Sequence, residues 1–293
     1  MQRLPLIALL LFFGTAVLPC RAQTAFDVEV TGQGTPMLLI PGLGCDGAVW
    51  DATVAHYQDR YECHVLTLAG FAGQPALDDP APFLPRVRDE IIAYVAAQNL
   101  EKPVVVGHSL GGFLALSLGS TAPDRFGPLV VVDGLPFLPG AMMPGATPES
   151  VRPMAEGIRA QSRQRQSAGQ VEQQLKGYLK NMVTAEADIA RAAAWGAASD
   201  GPTYGQAMYE LYTTDLRPAL PKIQAPTLVM GAWIGYQEWG ATRASVLANY
   251  RAQFENLPHA ELEMFDEAKH FIMWDDPAGF LRVLDQFLTR QKS

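Results

Sequence analysis

The run Val104-Val105-Val106-Gly107-His108-Ser109-Leu110-Gly111-Gly112-Phe113-Leu114 constrains this chain more than any other stretch. Three β-branched residues ask for an extended, buried strand. An abrupt turn follows, and then apolar residues that open a helix. The turn reads G-x-S-x-G, the pattern that lifts a serine onto a sharp strand-to-helix bend. A β-carbon at 107 or 111 would crowd so tight a bend, so glycine stands at both positions. In return the Ser109 Oγ is exposed, and the Leu110 amide, at a helix N-terminus, can point at a developing oxyanion. A glycine-rich turn with an incidental serine would not need the valines before it or the apolar helix after it.

The surrounding chain alternates strand and helix. Phe26–Val30 alternates as an edge strand, and Met37–Ile40 is a continuous apolar run, hence a strand buried on both faces. Trp50 and Val54 begin an amphipathic helix, and Cys63–Leu68 is a strand. Leu84, Val87, Ile91 and Val95 fall at helical spacing within 83–100. Leu129–Asp133 is the next strand. This order implies right-handed βαβ units and a mostly parallel, doubly wound sheet, an α/β fold. From 136 to 220 no β-branched run occurs. Helical stretches at 149–166, 171–183 and 186–197 carry Leu175, Tyr178, Leu179, Met182 and Trp195 to bury, which predicts a helical cap inserted in the sheet domain. Strand logic resumes at Thr227–Gly231, followed by a helix through Tyr250, a strand at Glu261–Phe265 and a helix over 277–291. The expected organisation is a leader at 1–22, a core formed by 23–135 and 221–293, and a cap at 136–220.

The length of 293 residues, 48% hydrophobic, suffices for one large core. A formal charge of −8 without a Lys/Arg block excludes nucleic acid and anionic membrane surfaces as expected partners. Arg3, the apolar run Leu4–Val17 and Cys20-Arg21-Ala22 read as a cleavable export signal, too short to span a bilayer. The mature chain is expected to start near Gln23, in the periplasm or outside the cell, without a stable membrane anchor. A lipid on Cys20 is the disfavoured rival, given the Val17-Leu18-Pro19 lead-in. Cys45 and Cys63 then remain. Export would permit a bridge between them, but two separate buried thiols are the preferred reading. No metal-binding cysteine or histidine pattern occurs.

A serine hydroxyl needs a base, and the base needs a carboxylate to orient it. Of five histidines, His108 lies inside the turn, His56 and His64 lie among upstream sheet-edge elements, and His259 sits beside Pro258. His270, in the loop after the last strand, has the chain position of a base.

At this point the chain resembles the α/β-hydrolase family over nearly its whole mature length. The matching segments are Pro41-Gly42-Leu43-Gly44 with Trp50, Gly107–Gly112, the cap-length insertion, Ala225–Val229, and His270 before Trp274-Asp275-Asp276-Pro277. The resemblance implies Ser109 as nucleophile, His270 as general base, and the amides of Leu43 and Leu110 as the oxyanion hole. Most members carry the acid just beyond the strand matching Thr227–Met230, and here that loop holds no Asp; its first carboxylate is Glu238. Some members take the acid from the end of the strand after the nucleophile helix, where Asp133 stands. Asp133 is the preferred candidate and Glu238 the alternative. Phe71, Phe137, Trp195, Trp233 and Trp239 are candidates to line a substrate pocket beneath the cap.

The implied activity is an exported serine hydrolase that cleaves small-molecule carboxylic esters through an acyl-enzyme, with no cofactor and no metal. Small-peptide or amide hydrolase, lactonase, acyltransferase and cofactor-free perhydrolase share such a triad, and a non-catalytic ligand-binding member of the fold is the rival from another class. Serine at 109, rather than aspartate, argues against dehalogenase and epoxide-hydrolase chemistry.

Overall fold

The apolar runs become the centre of a sheet because residues buried on both faces must have helices above and below them. Seven strands line up in the order β1-β3-β2-β4-β5-β6-β7. They are β1 (Phe26–Gly32), β2 (Thr35–Ile40), β3 (Tyr61–Leu68), β4 (Val104–His108), β5 (Leu129–Val132), β6 (Thr227–Ala232) and β7 (Glu261–Phe265). Strand β1 pairs antiparallel with β3, and every other neighbouring pair is parallel. This computed structural model describes residues 24–143, 145–164 and 167–291. The expected leader at 1–22, Cys20 included, lies outside the described residues.

Successive residues of the central strands feed opposite cores, as the two-residue period requires. Leu38, Ile40, Val105, Val131 and Val229 join one core, while Met37, Leu39, Val104, Val106, Val130 and Val132 join the other. The helices are α1 (Asp51–Tyr57), α2 (Phe83–Ala97), α3 (Leu110–Thr121), α4 (Leu138–Met142), α5 (Pro148–Ser162), α6 (Ala168–Leu179), α7 (Glu186–Ala198), α8 (Gly201–Thr213), α9 (Arg243–Gln253), α10 (Ile272–Asp275) and α11 (Pro277–Arg290). Val87 and Ile91 of α2 and Leu114 and Leu118 of α3 cover the first face. Tyr57 of α1 and Phe280, Leu284 and Phe287 of α11 cover the second. The parallel strands β2, β4, β5 and β6 therefore end on one rim, where functional groups collect in such sheets.

Between β5 and β6 the chain is helical, as expected, and forms a cap. α5 packs on α8 and α6 on α7. Thr147 with Ser150 and Ser167 with Gln170 form reciprocal caps at the starts of α5 and α6. α5 stops at Ser162, short of the expected Gln166, which lies outside the described residues. Helix α8 was not among the expected stretches. Asp200 accepts from the Thr203 amide 2.9 Å away and starts it, with Pro202 in its first turn.

One buried side chain ties cap to core. Helix α2 begins after Pro82, which offers no capping side chain. Its first amides, those of Phe83 and Leu84, donate instead to the two oxygens of Glu210 on α8, at 2.8 and 2.6 Å. Gln206 Nε2 also donates to Glu210, at 2.7 Å. Glu210→Ala strips both amides of their acceptor, and the expected cost is about 2–3 kcal/mol. A urea midpoint measures it, and a loss below about 0.5 kcal/mol would show that water replaces the carboxylate.

Candidate active site

The elbow's geometry follows from want of space. A β-carbon on Gly107 would stand 2.0 Å from the Gly111 carbonyl oxygen, and one on Gly111 would stand 2.2 Å from that of Ile40. Ser109 between them holds φ 55° and ψ −114°, a conformation that L side chains rarely adopt. Its amide donates to Val132 O at 2.9 Å, and its carbonyl accepts from Phe113 at 3.1 Å to start α3. Leu110, the first residue of α3, therefore has an amide with no helical acceptor. The loop after β2 packs on this turn: a β-carbon on Gly42 would lie 3.4 Å from Ser109 Cβ. The Cys45 amide donates to Gly42 O at 3.1 Å, so Leu43 and Gly44 form the corner, with Gly44 at φ +69°.

Asp133 follows β5 directly and also holds a positive φ, 48°. Its amide donates to Met230 O at 2.8 Å. Gly134 follows because a β-carbon there would stand 2.8 Å from Ser109 O. The Asp133 carboxylate is buried, with Oδ2 2.6 Å from His270 Nδ1. Oδ1 accepts from the Ala232 amide at 2.8 Å and from the Tyr250 hydroxyl at 2.5 Å. A carboxylate only accepts, so Nδ1 carries the proton and the His270 Nε2 lone pair is left to act as a base. Burial, and then the Asp133 charge, push the Tyr250 phenol well above its ordinary pKa, so it stays a donor. Glu238, by contrast, is exposed on the short turn Ile234–Trp239.

His108 does more than occupy the turn. Its ring centroid lies 4.6 Å from those of both His270 and Phe271, and its Nε2 donates to the His270 carbonyl at 3.1 Å. Burial, reinforced by the neighbouring His270, holds it well below the usual imidazole pKa, so it is neutral. The same loop is held from the cap, since the Phe271 amide donates to Met182 O at 3.1 Å. The other upstream histidines are engaged elsewhere: His64 with Tyr94 at 2.8 Å and His56 with Asp285 at 2.8 Å.

The five candidate pocket aromatics are each engaged in local packing. Phe71 packs on Phe83 and Tyr204, with ring centroids 5.5 and 6.5 Å away. Phe137 is fully buried beneath the Arg217 guanidinium. Trp195 packs against Trp274 and Arg191. Trp233 donates to Asp266 at 2.8 Å, and Trp239 is exposed beside Tyr236. Residue type alone marks them as candidates, and each has packing partners of its own. A cavity of about 460 Å³ opens among the cap helices, lined in part by Ile158, Val171, Leu175, Ser199 and Tyr204. Ser199 Oγ donates to the carbonyl of Gly44 in the loop that carries Leu43, at 3.5 Å, and Tyr204 stands 3.2 Å from where a β-carbon on Gly44 would be.

Cys45 and Cys63 stand as separate buried thiols; burial pushes them up to about 12 and about 11. Among the described residues no cluster is arranged to hold a metal, and no helix is long and apolar enough to cross a membrane.

The sequence pattern of the alpha/beta hydrolase family matches residues 37–283, and the chain belongs to that family. Its relatives are hydrolases. A pimeloyl-(acyl-carrier protein) methyl ester esterase of Aeromonas hydrophila is 25% identical over 270 residues, 89% of this chain and 98% of the relative. Its namesake in Aliivibrio salmonicida is 37% identical over 113 residues, 39% of this chain and 41% of that one. N-formylmaleamate deformylase of Pseudomonas putida is 24% identical over 261 residues, 88% of this chain and 90% of the relative. The crystal structure of the enol-lactonase from Burkholderia xenovorans LB400 superposes with a TM-score of 0.73 at 18% identity, covering 90% of this chain and 96% of that one. At that identity the likeness is one of fold.

Proposed function

We propose that this chain is an exported serine hydrolase that cleaves small carboxylic esters. The observation that carries the reading is the 2.6 Å contact between His270 Nδ1 and the buried Asp133 carboxylate. That pair stands on the same sheet rim as the strained Ser109 elbow. His270 Nε2 takes the Ser109 proton as Oγ attacks the ester carbonyl. The Leu110 amide, at the start of α3, and the Leu43 amide, at the corner of the adjoining loop, would hold the oxyanion. The imidazolium, stabilised by Asp133, returns its proton to the leaving alcohol and an acyl-enzyme forms. Water, deprotonated by the same imidazole, releases the acid and restores Ser109. The carboxyl-ester class draws further support from the methyl ester esterases among the relatives.

A fluorophosphonate probe applied to fractionated cells that express the whole chain tests both parts. The expected outcome is label on the Ser109 peptide of a protein outside the cytoplasm that begins near Gln23. A folded chain that takes no label would end the catalytic reading and favour a ligand-binding role. Labelled protein that stays in the cytoplasm with residues 1–22 attached would end only the export reading. Turnover of an ester, lactone and amide panel then ranks the substrate classes.

A further inference from the structure

Tyr250 has no part in the mechanism above, yet its hydroxyl is buried against the carboxylate at the centre of it. We infer that Tyr250 is a positioning residue that sets how strongly Asp133 draws on the His270 imidazole. The inference rests on the proposed roles of Asp133 and His270.

The local packing is built around this contact. Tyr250 approaches from α9, stacked on Phe254 with ring planes 12° apart. The preceding residue, Asn249, holds α9 to α4 through a 2.8 Å bond to the Ala141 carbonyl. To reach Asp133 the phenol passes β6 where Gly231 stands, and a β-carbon on Gly231 would lie 3.0 Å from the Tyr250 Cζ. The slot admits a phenol because residue 231 lacks a side chain. With the Ala232 amide, the hydroxyl gives Asp133 Oδ1 two donors and turns Oδ2 towards Nδ1.

Two donors on the far oxygen also draw off part of the carboxylate's negative potential. Without the hydroxyl, Asp133 would stabilise the imidazolium more strongly. The other titratable groups near this pair do not compete. His108 is neutral through burial, and Tyr236, an exposed phenol, is neutral at ordinary pH too.

Tyr250→Phe keeps the ring and removes the donor. The rate of fluorophosphonate labelling at Ser109 is then followed against pH. The acidic limb is expected to move up by about half a unit to one unit, a loss of ~3- to 10-fold on that limb. Monofluorotyrosine at 250, a stronger donor, is expected to move the limb down. The His270 Nδ1 proton resonance, identified by its loss in His270→Gln, should shift in Tyr250→Phe. An unmoved limb and an unmoved resonance, with a lower melting temperature, would reduce Tyr250 to a packing residue and overturn the inference. A wild-type protein that takes no label would overturn the catalytic reading itself, while the resonance still tests the Tyr250 contact.

Discussion

Asp133→Asn is expected to lower kcat/KM on a short p-nitrophenyl ester by about 10⁴-fold, the scale of loss seen when the orienting acid of a serine protease is replaced by its amide. The surrounding donors decide how the new amide sits. The Ala232 amide and the Tyr250 hydroxyl both require an acceptor at the Oδ1 position. The Asn oxygen is therefore held there, and its NH₂ group faces His270 Nδ1. That nitrogen must then accept, which places the imidazole proton on Nε2, where it cannot take a proton from Ser109. The protein should still fold, because volume and both Oδ1 contacts persist. Glu238→Gln, at an exposed position, is expected to stay within about twofold of wild type, as surface substitutions away from a site do. Equal turnover by Asp133→Asn and wild type, or a collapse in Glu238→Gln, would move the acid to the other carboxylate.

That contrast marks where the sequence is legible. The sheet is written in local chemistry: runs such as Leu129–Val132 have no stable environment except a strand covered on both faces, and the glycines beside Ser109 allow only the elbow. The position of His270 after the last strand is legible for the same reason. Two carboxylates competed for its partner because spacing along the chain carries no information about which one turns inward. Tyr250 lies 117 residues from Asp133, and Ala232 contributes a backbone amide that no side-chain pattern announces. The role of His108 was hidden likewise, since its carbonyl partner on His270 is 162 residues away. Helix α8 is a different kind of omission. Asp200-Gly201-Pro202 carries a start signal, an N-cap acid followed by a first-turn proline, that the nearby glycines obscured. The pocket aromatics are hard to read for a third reason: large rings are the commonest filling of any core, and their type does not say which space they fill.

Gly107→Ala and Gly157→Ala make the same chemical change and are expected to act with opposite sign. At 157, within α5, no atom lies within 4 Å of the added methyl. Alanine there lowers the backbone entropy of the unfolded chain and should stabilise the protein by about 0.5–1 kcal/mol. At 107 the methyl would meet the Gly111 oxygen at 2.0 Å, its carbonyl carbon at 2.2 Å and the Gly112 nitrogen at 2.6 Å. All three are backbone atoms of α3, so no rotamer change relieves them; the helix must swing away from β4. Gly111 cannot yield in that movement, being itself lodged against the Ile40 and Pro41 carbonyls. Overpacking in a core costs about 1–3 kcal/mol when side chains can adjust, so a clash confined to backbone should cost more than about 3 kcal/mol. The displaced α3 would also carry the Leu110 amide out of reach of the Ser109 adduct, so labelling should be lost even in molecules that remain folded. Urea midpoints and probe labelling on the two variants measure both effects. A Gly107→Ala protein of near wild-type stability that still labels at Ser109 would mean that the strained elbow is not what holds the serine in place.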